Sequence, residues 1–598
     1  MAKKVLWLLV SCLMVISLVM ASCGTVAEEE ETELTTETRI EKKTETKTET
    51  KVEKQEGFAD PETPKYGGIY TRYTTADPMG WDYAHTRLMT SSMMMGQELS
   101  MGDWARGPAG SNDCDWTAGF GGRASLLTGC LAESWTLPDD ETIVYKIRKG
   151  IHYWDKVPAN GREHTADDVV WNIKRNFESP ASYLYGSYTR VKKNPTSVKA
   201  LDKWTVEVKY PAADLGLLFV VTSDYLWHIC PDVVNTYGDM KDWEHIVGTG
   251  PWMLTDYVPG SVLNYDRNTN YWETDPLHPG NQLPYMDGIK MLIIADSSTA
   301  QAALRTGKLD EMGLTTWDTV SLLMQQCPDL MLASRASLGT NFPWGRVDGD
   351  LPFKDVRVRQ ALNMAVNQQE ILDEYYGGHG ELLNWPYADL AVFSNIYTPL
   401  EEQPQIVQDM FGYDPDRSKT MLAEAGYPDG FTCTIDCSTS HVDLLSIVRE
   451  YLAKVNVDFQ LNVHETGVFL SIRSAGTFEQ MIYSNDHVGL PFRMMCMTSA
   501  SVWNYAGFVH EKTEAAVSEI NTWIGKDDTK VEQVLKDIGP FELEQACAIF
   551  LPIPHSFVLW WPWVQNFYGA NGGGGYFTPD QYTTYIWLDT DMKKKMGY

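Results

Sequence analysis

The chain has 598 residues and a formal charge of −31 at pH 7, from 80 acidic and 49 basic side chains. An acidic surface repels the phosphates of nucleic acids and of anionic lipid headgroups, so we predict no nucleic-acid partner. From about residue 64 onward the composition is globular, and residues 64–598 are too many for one hydrophobic core. Two or three lobes are therefore expected.

The first residues have the layout of an export signal. Lys3 and Lys4 precede the apolar run Val5–Met20, and small residues then lead to Cys23. A charged start, an apolar centre and a small-residue cleavage site are typical of secretory signals, and a cysteine at the cut point is typical of bacterial lipoproteins. We predict a signal peptide over residues 1–22 and lipidation of Cys23. The alternative is an uncleaved anchor, because the apolar run is nearly long enough to span a bilayer.

Residues 23–63 are predicted to be a disordered tether between the lipid and the folded part. Most of this stretch is Glu, Thr and Lys, and glutamates recur at every fourth position from Glu37 to Glu53. Like charges at that spacing destabilise a helix, and the stretch has little apolar surface to bury. A solvated linker of this kind keeps a domain close to a membrane surface.

Local patterns beyond the tether alternate between strands and helices. Glu141–Arg148 places Ile143, Tyr145 and Ile147 on one face, which predicts a half-buried strand. Thr165 and Asp168 have the spacing of a capping box at the start of a helix. We predict that Asp168 caps this helix and does not bind a ligand.

Two further helices are predicted to begin at aspartates. Asp355 opens one helix, and Asp414 opens another that ends at Gly426. Apolar runs typical of strands lie between and beyond the helices: Met291–Ile294, Thr432–Asp436 and Phe459–Val463. This interspersed order predicts an α/β fold with mixed sheets.

The cysteines allow many disulfide pairings. Eight cysteines lie beyond Cys23, and an exported chain permits disulfides, but eight allow 105 pairings. Cys433 and Cys437 are predicted not to bridge each other, because four residues of strand separate them by about 13 Å.

The stretch Ile549–Ala570 contains three prolines that would break a spanning helix, so we predict buried strands there.

The sequence contains no recognisable catalytic or metal-binding motif. The histidines are scattered, and the glycine run Gly572–Gly575 has no following lysine or helix, so a flexible loop is favoured over a phosphate site. We predict no enzyme activity, no cofactor and no metal. Aromatic residues are abundant, with 21 Trp and 30 Tyr. Most are expected in the core, but Trp503-Asn504-Tyr505 lies in a polar context and is the better pocket candidate.

Several segments, in order, match the signature of one protein family. They are Leu131–Trp135, Arg148–Asp155, Thr165–Val169, Val247–Trp252, Leu283–Gly288, Pro352–Leu362 and Ala423–Pro428. Together they resemble the family 5 extracellular solute-binding proteins, the peptide- and nickel-binding components of ABC importers. The resemblance extends over roughly residues 64 to 570.

The resemblance implies a periplasmic-binding-protein-like α/β fold of type II, with two α/β lobes, a hinge and a cleft, plus an extra lobe on the N-terminal side. It implies lobe I over residues 64–90, 245–335 and 540–598, extra lobe II over 91–244, and lobe III over 336–539. The ligand would be enclosed as the lobes close. The implied partners are a small-molecule or peptide ligand and ABC permease subunits, and the protein would act as a monomer.

The resemblance also assigns ligand-binding residues. Peptide-binding relatives have a Trp three positions before an Asp that pairs with the amino terminus of the ligand; Tyr483 and Asp486 stand at these positions here. A carboxylate suits an ammonium group because charge-assisted hydrogen bonds offset desolvation. Asn504 matches another recurrent position, where it could hold a loop instead of a ligand. The predicted binding residues are Tyr483, Asp486, Trp503, Asn504 and Tyr505.

Two departures from the family pattern leave alternatives open. The Asp-Pro pair that follows the anchor is replaced by Val488–Pro491, and the stretch Met101–Arg123 is longer than expected and could reshape the pocket mouth. The predicted function is capture of a solute, most simply a peptide, for an importer at the outer face of the cytoplasmic membrane. The alternatives are a sugar or metal-chelate binder, a sensor or chaperone on the same scaffold, or a secreted hydrolase.

Overall fold

The computed structural model describes residues 63–82, 95–116, 123–182, 184–185, 189, 193–216, 226–336, 340–486, 496–498, 503–569 and 581–598. The predictions for the signal peptide, Cys23, the tether and Gly572–Gly575 lie outside these ranges. Within the ranges, helices that are both long and apolar enough to cross a membrane are absent.

The strands, in chain order, are β1 Ile69–Thr74, β2 Ser100–Gly102, β3 Leu127–Gly129, β4 Ala132–Asp139, β5 Thr142–Ile147, β6 Ser197–Asp202, β7 Thr205–Lys209, β8 Trp252–Val258, β9 Val262–Arg267, β10 Gly288–Ile293, β11 Glu311–Leu314, β12 Met331–Ala336, β13 Thr340–Gly345, β14 Gly380–Glu381, β15 Phe431–Ser438, β16 Val457–His464, β17 Met481–Asp486, β18 Ile553–Trp560, β19 Val564–Gln565 and β20 Trp587–Leu588.

The α-helices are α1 Ala166–Glu178, α2 Pro231–Tyr237, α3 Ser297–Arg305, α4 Trp317–Gln326, α5 Val356–Met364, α6 Gln368–Glu370, α7 Gln405–Phe411, α8 Pro415–Glu424, α9 Val442–Ala453, α10 Thr466–Ala475, α11 Glu511–Trp523, α12 Asp528–Gln545 and α13 Thr590–Lys595. A π-helical turn, Ile371–Tyr375, continues α6.

The predicted helix starts are confirmed. At α1, the Asp168 carboxylate accepts the N–H of Thr165 at 2.8 Å, which completes the capping box. Asp168 is also paired with Arg162 at 2.6 Å, a partner that the local pattern did not indicate. Asp355 caps α5 and Asp414 caps α8, and Gly426 after α8 has a φ of +98°, the left-handed region that glycine tolerates.

Four main sheets organise the fold. β4-β5-β7-β6 is wholly antiparallel, and β1-β10-β9-β8 is antiparallel apart from the parallel pair β1 and β10. β11-β18-β12 is antiparallel, with β14 also pairing with β18. The fourth sheet, β13-β17-β15-β16, has β15, β16 and β17 parallel and β13 antiparallel. Cys433 and Cys437 both lie in β15 as separate thiols, as predicted.

Two hydrophobic cores hold these sheets. The first core contains buried side chains from the first three sheets, such as Tyr145, Trp252 and Leu559. The second core is built on β13-β17-β15-β16 and includes Ile435 and Ile482.

The chain passes between the two cores at neighbouring places. Ala336, at the end of β12, belongs to the first core, and Phe342 in β13 belongs to the second. β18 runs the other way, from Ile553 in the second core to Trp560 in the first. Because Ala336 of β12 pairs with His555 of β18, the end of β12 lies beside the start of β18, as in a hinge between two bodies. The predicted buried strands within Ile549–Ala570 are β18 and β19, each paired with other strands.

Candidate ligand-binding site

The candidate site lies where the three parallel strands of the fourth sheet end. β15, β16 and β17 run in the same direction and finish at Ser438, His464 and Asp486. Helix α10 begins directly after β16, and α9 follows β15 through the 3-10 turn Thr439–His441, so both N-termini lie at the same edge. In open α/β sheets, ligands bind outside the carboxyl ends of the strands, near helix N-termini that favour negative charge.

Tyr483 lies in β17, three residues before the end of the strand. Its side chain is buried, and its ring meets the ring of His441 edge-on at 4.6 Å. Burial raises the pKa of the Tyr483 phenol well above its usual range, so the hydroxyl is neutral at every physiological pH. Tyr483 can therefore offer a hydrogen bond and an apolar face to a ligand, but no charge.

Asp486 is the last residue of β17, with its backbone opposite Thr340 of β13. Its role as the anchor for a ligand stays a prediction. The side chain of Asp486 lies outside the described part of the structure.

Polar side chains that the local motifs did not indicate gather at this edge. His464 Nε2 lies 2.6 Å from Asp436 Oδ1, and the amide of Asn462 donates to the same oxygen at 2.7 Å. Asp436 is largely buried, so these bonds compensate its desolvation. The apolar run Thr432–Asp436 predicted a strand, but only the pairing of β15 with β16 brings these three residues together.

His441 and Arg473 also lie at the carboxyl edge of the parallel strands. His441 lies within hydrogen-bonding distance of the Ser438 hydroxyl, at 3.2 Å from Nδ1, and burial, aided by the nearby charge of Arg473, lowers its pKa. His441 is therefore neutral at pH 7. Arg473 in α10 donates to the side chain of Asn485 in β17 at 2.9 Å, which ties the helix to the strand next to Asp486.

Trp503, Asn504 and Tyr505 lie together in a second place. They line a small recess together with Trp344 and Trp385. The rings of Trp344 and Trp385 are 5.9 Å apart and nearly perpendicular, and Trp503 meets Tyr505 edge-on at 6.3 Å. The role of Trp503, Asn504 and Tyr505 in binding a ligand stays a prediction.

This recess and Tyr483 lie on different faces of the sheet. Trp344 is paired with Ile482, the neighbour of Tyr483, and successive residues of a strand point to opposite faces. The five predicted residues thus divide between the carboxyl edge and the recess.

Asn504 holds its own loop. Its side-chain amide donates to the carbonyl of Phe508 at 2.7 Å, and its oxygen accepts the Phe508 N–H at 3.1 Å. It also donates to the Thr498 carbonyl at 3.3 Å. These bonds occupy most of what an asparagine side chain can offer.

Within the described ranges, no three His, Cys, Asp or Glu side chains form a group that could hold a metal ion.

The fold is that of the periplasmic binding proteins. The structure matches the ABC transporter-associated periplasmic binding protein DppA from Helicobacter pylori, in complex with the peptide STSA, with a TM-score of 0.67 at 19% identity, over 88% of this chain and 99% of that one. The predicted α/β periplasmic-binding-protein fold is confirmed.

The chain belongs to the bacterial extracellular solute-binding proteins, family 5, whose middle-region model matches residues 127–491. The family confirms the predicted class, a solute-binding protein and not an enzyme. The chain is 27% identical over 347 residues to the glutathione-binding protein GsiB of Escherichia coli, covering 57% of this chain and 62% of that protein. It is 28% identical over 316 residues to heme-binding protein A of Haemophilus influenzae, covering 50% and 54%. It thus spans less than two thirds of the length of these relatives.

Proposed function

We propose that this chain is the binding component of an ABC importer, capturing a peptide in a cleft and delivering it to permease subunits. The observation that carries the proposal is the position of Tyr483 and Asp486 at the carboxyl edge of β17, in a chain of family 5. Closure would bring residues 336–539 against residues 64–335 and 540–598 around the ligand, by bending at the paired strands β12 and β18.

A peptide is favoured by the chemistry of the edge. The Asp486 carboxylate would receive an ammonium group, and the buried, neutral Tyr483 would support this edge through its packing against His441. The relatives lend support, since one is described as glutathione-binding and one was solved with the peptide STSA. Both of those ligands carry a free amine and amide bonds.

A metal chelate, a haem or a sugar is the second candidate. The observation that favours it is the tryptophan-lined recess around Trp344, Trp385 and Trp503, because flat aromatic rings suit planar or ring-shaped ligands. The description of one relative as heme-binding points the same way. This candidate requires no free amine on the ligand.

We also propose that the protein is attached to the membrane by a lipid and that its folded part has three lobes. Cleavage before Cys23 and lipidation of its thiol would attach the protein to the outer face of the cytoplasmic membrane, with residues 23–63 as the tether. The folded part would act as a monomer of three lobes: residues 64–90, 245–335 and 540–598, residues 91–244, and residues 336–539.

The test is ligand capture by the full chain, purified in mild detergent without added solute. A native mass spectrum would show a retained adduct, and its mass would separate a peptide from a chelate or a sugar. Thermal shift with glutathione, the tetrapeptide STSA and haemin would follow. A ligand at 100 times its Kd stabilises the folded state by about 2.7 kcal/mol, a shift that is easily measured. A chain with neither an adduct nor a shift with any of the three probes would contradict the proposal.

A further inference from the structure

Residues 123–125 contact the start of α12, which lies far away along the chain. The Asp528 carboxylate accepts the N–H of Ala124 at 3.1 Å and the N–H of Ser125 at 2.9 Å, across 404 and 403 positions. Ala124 and Ser125 begin a 3-10 helix, Ala124–Leu126, whose first N–H groups have no acceptor within the helix. Asp528 thus supplies a cap from a remote part of the sequence.

A second carboxylate on the same helix face completes the polar contact. Glu532, one turn after Asp528, lies 3.1 Å from the guanidinium of Arg123, and it also accepts from Asn395 at 2.9 Å. The Arg123 and Glu532 side chains are only 22% and 13% exposed, so the pair is partly shielded from water. Ion pairs shielded from water are costly to break, because separation leaves charges poorly solvated.

An apolar contact lies beside this polar one. Gly216 packs so closely on Ile524 that a Cβ at Gly216 would be 1.5 Å from Ile524 Cγ2. Ile524 is fully buried and belongs to the first core. We call the whole contact the clasp: residues 123–125 and Gly216 on one side, and Ile524, Asp528 and Glu532 on the other.

The two sides of the clasp belong to different predicted lobes. Residues 123–125 and Gly216 fall in 91–244, and Ile524, Asp528 and Glu532 fall in 336–539. Arg123 is also the last residue of Met101–Arg123, the stretch that is longer than the family pattern. The extra length therefore ends at the point of contact between the lobes.

We propose that the clasp holds the cleft closed and sets the rate at which a bound solute leaves, an inference that rests on the proposed function. Opening would separate residues 123–125 from α12, so every bond of the clasp stabilises the closed state over the open one. A neighbouring pair, Lys526 and Asp140 at 2.6 Å, adds little, because the Asp140 side chain is 75% exposed.

The test uses the full chain and two variants that act by different means. Asp528→Ala removes the acceptor for both N–H groups. Gly216→Ala places a methyl group against Ile524 and wedges the contact apart while leaving Asp528 intact. The double variant Gly216→Ala/Ile524→Ala removes the atom at 1.5 Å, leaves the two Cβ atoms 3.0 Å apart, and should largely close the cleft again. Asp537→Ala is the control, since Asp537 is exposed on the same helix and its carboxylate accepts from Gln533 of that helix.

Three measurements are compared among these variants. Small-angle scattering without solute should show a larger radius of gyration for Asp528→Ala and Gly216→Ala, and no change for Asp537→Ala. In Gly216→Ala, hydrogen exchange of the Ala124 and Ser125 amides should quicken about tenfold or more, a change of about 1.4 kcal/mol. For whichever of the three probes the unmodified chain binds, dissociation should quicken by a similar factor.

The outcomes separate this inference from the proposed function. If the radius of gyration and the Gly216→Ala amide exchange stay as in the unmodified chain, the clasp does not hold the cleft closed. A lower melting temperature without expansion would mean that α11 and α12 are a permanent part of the first core, which also overturns the inference. Failure of the unmodified chain to bind any probe would contradict the proposed function instead, because the first two measurements need no solute.

Discussion

The hydroxyl of Tyr585 donates to Glu273 Oε1 at 2.6 Å inside the first core, and Tyr271 donates to the other carboxylate oxygen at 2.8 Å. Burial raises the pKa of Glu273 from 4.5 to about 7, although both tyrosine bonds oppose the shift. The folded state therefore holds the Glu273 proton more tightly than the unfolded chain does.

The stability of the folded state should consequently fall as the pH rises. The contribution from Glu273 is complete below pH 4.5 and is lost as the pH rises through about 7, because ionisation of the buried carboxyl is unfavourable. The loss amounts to about 3 kcal/mol. Urea unfolding of Glu273→Gln between pH 5 and 8 should show a smaller pH dependence, whereas the exposed Glu133→Gln should follow the unmodified chain. Parallel curves for all three proteins would contradict this assignment.

Asp310 anchors the C-terminal helix to the first core. Its fully buried carboxylate accepts from Lys593 at 2.7 Å, from the Trp563 indole at 2.7 Å and from the Thr71 N–H at 2.6 Å. Lys593→Met would leave the carboxylate with two neutral donors and no counter-charge. We expect a loss of about 2–4 kcal/mol, seen as a lower melting temperature. Lys594→Met, at an exposed neighbouring position, is the matched control, and equal melting temperatures for the two variants would refute this role.

Asn504 is predicted to act on stability and not on affinity. Asn504→Ala would leave the N–H and carbonyl of Phe508 without their side-chain partners, at a cost of about 1–3 kcal/mol. The exposed Asn270→Ala should cost much less. Loss of ligand affinity in Asn504→Ala at an unchanged melting temperature would assign the residue to the ligand instead.

The helix caps of this fold are predictable from the sequence because the donor and acceptor residues of each cap are close along the chain. Thr165 and Asp168 are three residues apart, and the Asp414 cap acts on the N–H of Arg417 within one turn. Such contacts follow from the propensities of a few neighbouring residues. The pair Lys593 and Asp310 joins positions 283 residues apart, and no local pattern indicates it.

At the candidate site, too, contacts between residues distant along the chain do not follow from local patterns. Tyr483 and Asp486 were found through resemblance to a family, but Asp436 and His464 become a pair only when β15 and β16 align in parallel register. Residues that end or directly follow the predicted strand runs Thr432–Asp436 and Phe459–Val463 are the available signal, because parallel strands share an edge. The sequence indicated the strands themselves, but not which strands would be neighbours.

The last prediction concerns Asp486 as the anchor for a ligand amine. Asp486→Asn keeps the size of the side chain and removes its charge. If the carboxylate pairs with an ammonium group in a closed cleft, the affinity for the tetrapeptide STSA should fall by about 2–5 kcal/mol. The N-acetylated tetrapeptide carries no ammonium, so its weaker binding should change little. Isothermal titration of both peptides against the unmodified chain and Asp486→Asn would measure the difference.

Asp458→Asn, at an exposed position of β16, is the matched control. Equal losses for the two peptides would indicate a structural role for Asp486. Unchanged affinity for every cationic ligand would remove Asp486 from the site and favour the tryptophan-lined recess, where a ligand without a free amine could bind.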